Sequence, residues 1–263
     1  MSASSPRPSL SELRAVAQPP SIFARNSGEH WAGRLYVRRI SIHLTRLVIP
    51  TRVTPNAMTW AMLAVGIAAA AVLTLPGIWP AVVAVLLIQS QILLDCSDGE
   101  LARWRQQFSP RGVYLDRLGH YVTETALPIG LGIRADGGWD AVGGTYTTLG
   151  LVAAVLALMV RMEGVLVGVA RAESGREAVA DTAEASAPRG GMLRTVRRRL
   201  GLFPFFRAFV AIEATLLALL AAIGDELAGD LSVTRALVIV LGPVAAITAV
   251  GRLAAIMSSE RLR

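Results

Sequence analysis

Six stretches of this chain, at roughly 56–75, 79–103, 113–133, 143–170, 204–224 and 233–257, are each long enough to cross a bilayer as a helix. Hydrocarbon offers the backbone no hydrogen-bond partners, so such stretches must satisfy their own N–H and C=O groups, which helices do. Of the 263 residues, 53% are hydrophobic and only 17% charged, more apolar than a soluble core of this size can hide. The expected fold class is therefore all-α integral membrane, with six transmembrane helices. Residues 1–30 read as a flexible polar arm, with no continuous apolar stretch and hence no signal peptide expected. Residues 31–50 mix Trp, Leu, Ile and Val with Arg34, Arg38, Arg39 and Arg46. That pattern is too charged to span and suits a cytoplasmic juxtamembrane amphipathic helix. Residues 51–263 form the membrane domain.

Charge placement orients the helices. The chain carries a formal charge of +7 from 26 basic residues, all arginine. They concentrate in 1–55, 103–112, 171–207 and 252–263, including the run Arg194, Arg197, Arg198 and Arg199. The intervening loops at 75–78, 134–142 and 225–232 hold only Arg134. The positive-inside rule then puts both termini in the cytoplasm, as an even number of spans requires. Because that rule already accounts for the basic loops, no nucleic-acid partner is expected; membrane lipids are. Tryptophans 31, 60, 79, 104 and 139 fall at span ends or on the surface helix, where aromatic belts form. His30 and His43 read as surface residues. Cys96 is the single cysteine, which excludes an intrachain disulfide and a zinc framework.

Against this apolar background, ionisable groups inside spans mark function, because placing them there is costly. Asp95 and Asp98 sit in the last turns of the second span, three apart and on one helix face. Asp116 and His120 sit in the first turns of the third, four apart and likewise on one face. Only 104–111 joins the two spans, so they form an antiparallel hairpin. At about 1.5 Å per residue, Asp98 and Asp116 reach nearly equal depth. Three carboxylates and an imidazole are expected to converge just beneath the cytoplasmic surface. Anions that close repel unless a cation binds them, and oxygen-rich sites suit Mg²⁺, Mn²⁺ or Ca²⁺.

The stretch from Asp95 to His120 reads D-C-S-D-G-E-L-A-R, eight residues, G, three residues, D, three residues, H. It resembles the signature D-x2-D-G-x2-A-R-x8-G-x3-D-x3-D of CDP-alcohol phosphotransferases. Asp95, Asp98, Gly99, Ala102, Arg103, Gly112 and Asp116 fall in register, and Thr54-Pro55-Asn56 resembles the T-P-N segment that opens the first span in many members. The resemblance covers about 54–257. It implies an enzyme of phospholipid biosynthesis that moves a substituted phosphate from a CDP-linked alcohol, with CDP-diacylglycerol the first choice, to an alcohol or phospho-alcohol acceptor, releasing CMP. It implies Mg²⁺ or Mn²⁺ on Asp95, Asp98 and Asp116, cytidine against Gly99 and Ala102, phosphate on Arg103, and a close hairpin crossing at Gly112. It also implies a homodimer in the cell membrane.

The fourth acidic position of the signature holds His120 here. In the family that residue completes the second metal site and acts as the base. Imidazole serves as a base near neutral pH and ligates Mn²⁺ better than Mg²⁺, so His120 and Asp116 are the candidate catalytic residues. Two alternatives stay open: a catalytically weakened CDP-alcohol-binding protein with a regulatory role, or transfer of the base function to Glu124, one turn further along. For the acceptor, Arg161 within the fourth span and Arg207 at the entrance to the fifth are the candidate phosphate contacts. Arg161 has no helical neighbour of opposite charge facing it, so its partner lies elsewhere.

Overall fold

The computed structural model describes residues 8–20, 31–176, 205–259 and 262. Its helices are α1 (Leu10–Ala17), α2 (Arg38–Val48), α3 (Pro55–Leu73), α4 (Ile78–Arg105), α5 (Pro110–Asp136), α6 (Thr145–Glu173), α7 (Ala211–Ala228) and α8 (Ser232–Met257). A π-helical turn at Gly33–Val37 leads into α2, and short 3₁₀ turns occupy Trp139–Ala141 and Phe205–Phe209. No strand occurs among the described residues. Four helices, α3, α4, α6 and α8, are long and apolar enough to cross a membrane. Helix α5 has the length but carries Arg111, Asp116, Arg117, His120, Glu124, Arg134 and Asp136. Helix α7 has 18 residues and includes Glu213, Asp225 and Glu226. Length and composition therefore mark four membrane helices where six stretches were expected. Arg194, Arg197, Arg198, Arg199 and His30 lie outside the described residues, as do 1–7, 21–30 and 177–204.

The chain divides into two compact units, one of residues 1–66 and 87–122, the other of 67–86 and 123–263. In the first unit, part of the expected polar arm is a helix. Ser9 caps α1: its Oγ accepts from Glu12 N at 3.2 Å, and the Glu12 carboxylate accepts from Ser9 N at 2.8 Å, a reciprocal capping box. Hydrogen bonds from the Ser9 hydroxyl and then its backbone N–H hold the Glu12 carboxyl below its ordinary range. The carboxylate half of the cap therefore contributes fully above the ordinary range and is lost as pH falls below it through the lowered value. Leu13 and Ala17 are fully buried with Ile42 of α2, and Leu10, Ile49 and Trp104 pack around them. Helix α2 buries Ser41, Ile42 and Thr45 and exposes Arg39, Ile40, His43 and Leu47. Its inner face is thus partly polar and its outer face partly apolar, the reverse of a soluble amphipathic helix.

In the second unit, side chains close the helix ends where backbone groups have no intrahelical partners. Asp136, at the end of α5, accepts from Tyr146 N at 3.2 Å, Thr147 N at 2.7 Å and Thr147 Oγ1 at 2.6 Å in the first turn of α6. Asp225, in the last turn of α7, does the same for α8, accepting from Val233 N and Thr234 N at 3.0 Å each. The carbonyls receive arginines: Arg134 Nη1 donates to Leu75 O at 2.7 Å, and Arg235 Nε to Ala135 O at 3.0 Å. Helices α5 and α6 cross through glycines. A Cβ on Gly150 would fall 2.5 Å from Pro128 O, and one on Gly132 the same distance from Tyr146 O. Small residues at such a crossing let backbones approach.

Two substitutions test this unit by thermal unfolding in detergent. Asp225→Ala removes a cap from α8 and is expected to cost about 1–2 kcal/mol. Gly150→Leu must push two backbones apart and is expected to cost about 1–3 kcal/mol.

Candidate metal and nucleotide site

The site begins with a turn. Helix α4 ends at Gln106, which takes a left-handed conformation with φ of 54°. Gln107 N then reaches back to Ala102 O at 2.9 Å, and Gln106 N to Arg103 O at 3.4 Å, the pattern of a left-handed helix ending. Three residues later the chain re-enters a helix. Ser109 Oγ accepts from Gly112 N at 3.0 Å as the cap of α5, and Pro110 occupies the first helical position, where its missing N–H costs nothing. Arg105 braces the turn by donating Nη2 to Ile49 O at 3.0 Å and Thr51 O at 2.9 Å. With so short a connection, the end of α4 and the start of α5 lie side by side in the first unit.

The carboxylates converge as the spacing predicts, with one distinction. Asp95, Asp116 and His120 each offer a ligand atom, and all three atoms lie within 4.8 Å of one another. His120 Nε2 is 3.2 Å from Asp95 Oδ1 and 3.7 Å from Asp116 Oδ1. Two carboxylates and an imidazole present oxygen and nitrogen donors to one point, a set that could hold a divalent cation. Asp98 stands apart from this trio. It is buried, and its Oδ2 accepts from Thr59 Oγ1 at 2.6 Å. It still feels the charges of Asp95 and Asp116.

The remaining motif residues are placed around the turn. The Arg103 guanidinium lies over Gly99, where a Cβ would come 3.1 Å from Nη1. Arg103 Nε donates to Ala17 O at 2.6 Å, while its buried Nη2 finds no hydrogen-bond partner among the described residues. Ala102 is half-buried one turn from Gly99. Gly112 faces Asn56, whose Oδ1 would lie 3.1 Å from an added Cβ. The missing side chain there makes room for the T-P-N segment. Gly119, between Asp116 and His120, likewise leaves room for Met62.

Arg161 and Arg207 belong to the second unit. Arg161 Nη2 donates to Glu124 Oε1, so the partner that its own helix lacks is supplied by α5. Glu124 is thereby committed to an ion pair. Arg207 Nη1 lies 4.0 Å from Glu213 Oε1.

Sequence reasoning overlooked Thr59 and Glu100. Both are polar residues in apolar helices, the signal that singled out Asp95, and Glu100 was passed over because it sits inside the motif at an unspecified position.

All-helical among the described residues, with four helices long and apolar enough to cross a membrane and an Asp–Asp–His cluster that could hold a metal ion at a helix hairpin, the chain has the features of a helical membrane protein. A family model for CDP-alcohol phosphatidyltransferase matches residues 52–247, and the chain belongs to that family. No curated protein matches the sequence at a significant level. The family transfers phosphatidyl groups from a CDP-alcohol.

The geometry predicts that His120→Ala weakens Mn²⁺ binding about tenfold or more, read by titration calorimetry of the purified protein. Gln106→Gly relieves a left-handed non-glycine residue and is expected to stabilise by a few tenths to about 1 kcal/mol, read as a rise in the thermal midpoint.

Proposed function

We propose that this chain is a metal-dependent CDP-alcohol phosphotransferase of phospholipid biosynthesis. In this reading it transfers the phosphatidyl group of CDP-diacylglycerol to an alcohol or phospho-alcohol and releases CMP. The observation that carries the reading is the cluster of Asp95, Asp116 and His120 within 4.8 Å inside a signature in family register. Asp95, Asp98 and Asp116, with His120, would hold Mg²⁺ or Mn²⁺, which neutralises diphosphate charge and stabilises the departing CMP. Arg103 would bind donor phosphate through its guanidinium fork, and Gly99 and Ala102 would admit the cytidine.

The chemistry asks for one proton acceptor. With His120 Nε2 not engaged by the cation, the acceptor alcohol would give its hydroxyl proton to that nitrogen, its oxygen would bond to the phosphorus that carries the diacylglycerol, and the bond from that phosphorus to CMP would break. His120 suits the role because neutral imidazole accepts a proton near pH 7. Glu124 suits it less, being paired with Arg161. Acceptor phosphate at Arg161 and Arg207 would compete with Glu124 and Glu213 for the guanidinium groups.

The same reading has α3 to α8 as six spans in the cell membrane, both termini and the site at the cytoplasmic face, and a homodimer. Helix α2 would lie along the membrane surface, which its exposed Leu47 and Ile40 beside Arg39 support.

The test is CMP release from radiolabelled CDP-diacylglycerol by the purified protein, with Mn²⁺ or Mg²⁺ and a panel of alcohols. Release is expected from the native protein. Asp98→Ala is expected to lower it about 100-fold or more, the loss typical of removing transition-state charge stabilisation; unchanged activity in that variant would refute the site. No release from the native protein, with release from His120→Asp, would instead establish a weakened CDP-alcohol-binding protein.

A further inference from the structure

Glu100 lies between Asp98 and Arg103 on α4, and its side chain is fully buried. A buried carboxylate is costly unless donors surround it, and here they do. Oε1 accepts from Ser41 Oγ at 2.6 Å and Gln18 Nε2 at 2.7 Å, with Arg38 Nη1 at 3.3 Å. Oε2 accepts from Thr45 Oγ1 at 2.7 Å. Ser41 and Thr45 stand one turn apart on α2, which explains the polar inner face of that helix. Nothing in the transfer chemistry employs Glu100.

The neighbouring bond supplies a purpose. Gln18 immediately follows α1, and its Nε2 also donates to Arg38 O at 2.8 Å, so its side chain ties the end of α1 to α2 and α4. Ala17, one residue earlier, ends α1. Carbonyls at a helix C-terminus lack intrahelical partners and carry the negative end of the helix dipole. The Ala17 carbonyl takes Arg103 Nε at 2.6 Å. Glu100 and Arg103 are three apart on one face of α4. Adjacent residues of the N-terminal segment thus grip adjacent turns of the motif helix, one through an anion and one through a cation.

We propose that Glu100 and Gln18 are positioning residues that, through the carbonyl of Ala17, hold the Arg103 guanidinium in place for donor phosphate. The proposal rests on the reading of Arg103 as a phosphate contact. Fixing Nε to a backbone oxygen orients the planar fork before the donor arrives and removes an ordering cost that binding would otherwise carry. Segment 8–18, which precedes the region matched by the family, thereby becomes part of the donor site.

The experiment measures binding of cytidine diphosphate with Mn²⁺ to the full chain in detergent by calorimetry, with Mn²⁺ alone as the control. Arg103→Ala is expected to weaken binding of the nucleotide about 10- to 100-fold, the scale of a lost charge-assisted contact. Gln18→Ala, at a half-buried position, is expected to weaken it about threefold to tenfold, with Mn²⁺ affinity unchanged. The double variant is expected to bind no more weakly than Arg103→Ala, because Gln18 acts through Arg103. Native-like binding by Gln18→Ala, or losses that multiply in the double variant, would overturn the positioning role while leaving Arg103 as a donor contact. Native-like binding by Arg103→Ala would overturn that reading and the proposal with it. Glu100→Gln, which keeps the shape and removes the charge, is expected to follow Gln18→Ala; should it fail to fold, Gln18→Ala decides alone.

Discussion

A backbone in hydrocarbon has to satisfy every N–H and C=O from within the protein, and several helix ends among the described residues meet that demand with side chains. Asp136 and Asp225 take the first N–H groups of the helices that follow them. Arg134 and Arg235 take carbonyls near the ends of helices. Where α4 turns into α5, the backbone closes on itself at Gln106 and Ser109 restarts the helix. Once the ends are satisfied locally, hairpins are short, and short hairpins bring chosen residues of consecutive helices to the same level.

That consequence creates the site. Asp95 and Asp116 would repel one another in a low-dielectric setting, yet the turn holds them together with His120 within 4.8 Å. In the proposed function, a bound cation would relieve that repulsion. Asp98 is kept slightly aside by Thr59, and Arg103 is drawn over Gly99 by the carbonyl of Ala17. The buried Glu100 ties the N-terminal helices to the same stretch of α4. Three anions, Asp95, Asp98 and Glu100, thus precede two cations, Arg103 and Arg105, along α4, and each is held by a different neighbour.

Much of this was legible in the sequence. The apolar stretches coincide with helices, because burial in lipid writes length and hydrophobicity directly into the chain. The convergence of Asp95, Asp116 and His120 followed from helical spacing and a short connection. Other features were not legible. Residues 10–17 fall within a stretch that reads as a polar arm, yet Leu13 and Ala17 bury one face against Ile42. The link from Arg161 to Glu124 joins residues 37 apart, and no periodicity within one helix reveals it. The close approach of α5 and α6 at Gly132 and Gly150 was not legible either, since only the packed backbones decide where glycine is needed.

By itself, the sequence determined that this chain is a helical membrane protein and that Asp95, Asp116 and His120 meet near one hairpin. These are properties of composition and of spacing along single helices, and local geometry carries them. The tertiary structure alone decided which donors surround Glu100, why Arg103 bends over Gly99, and what Glu124 and Arg161 do with their charges. Each of those depends on contacts between segments far apart in the chain, where a side chain's role is set by the neighbour that packing supplies.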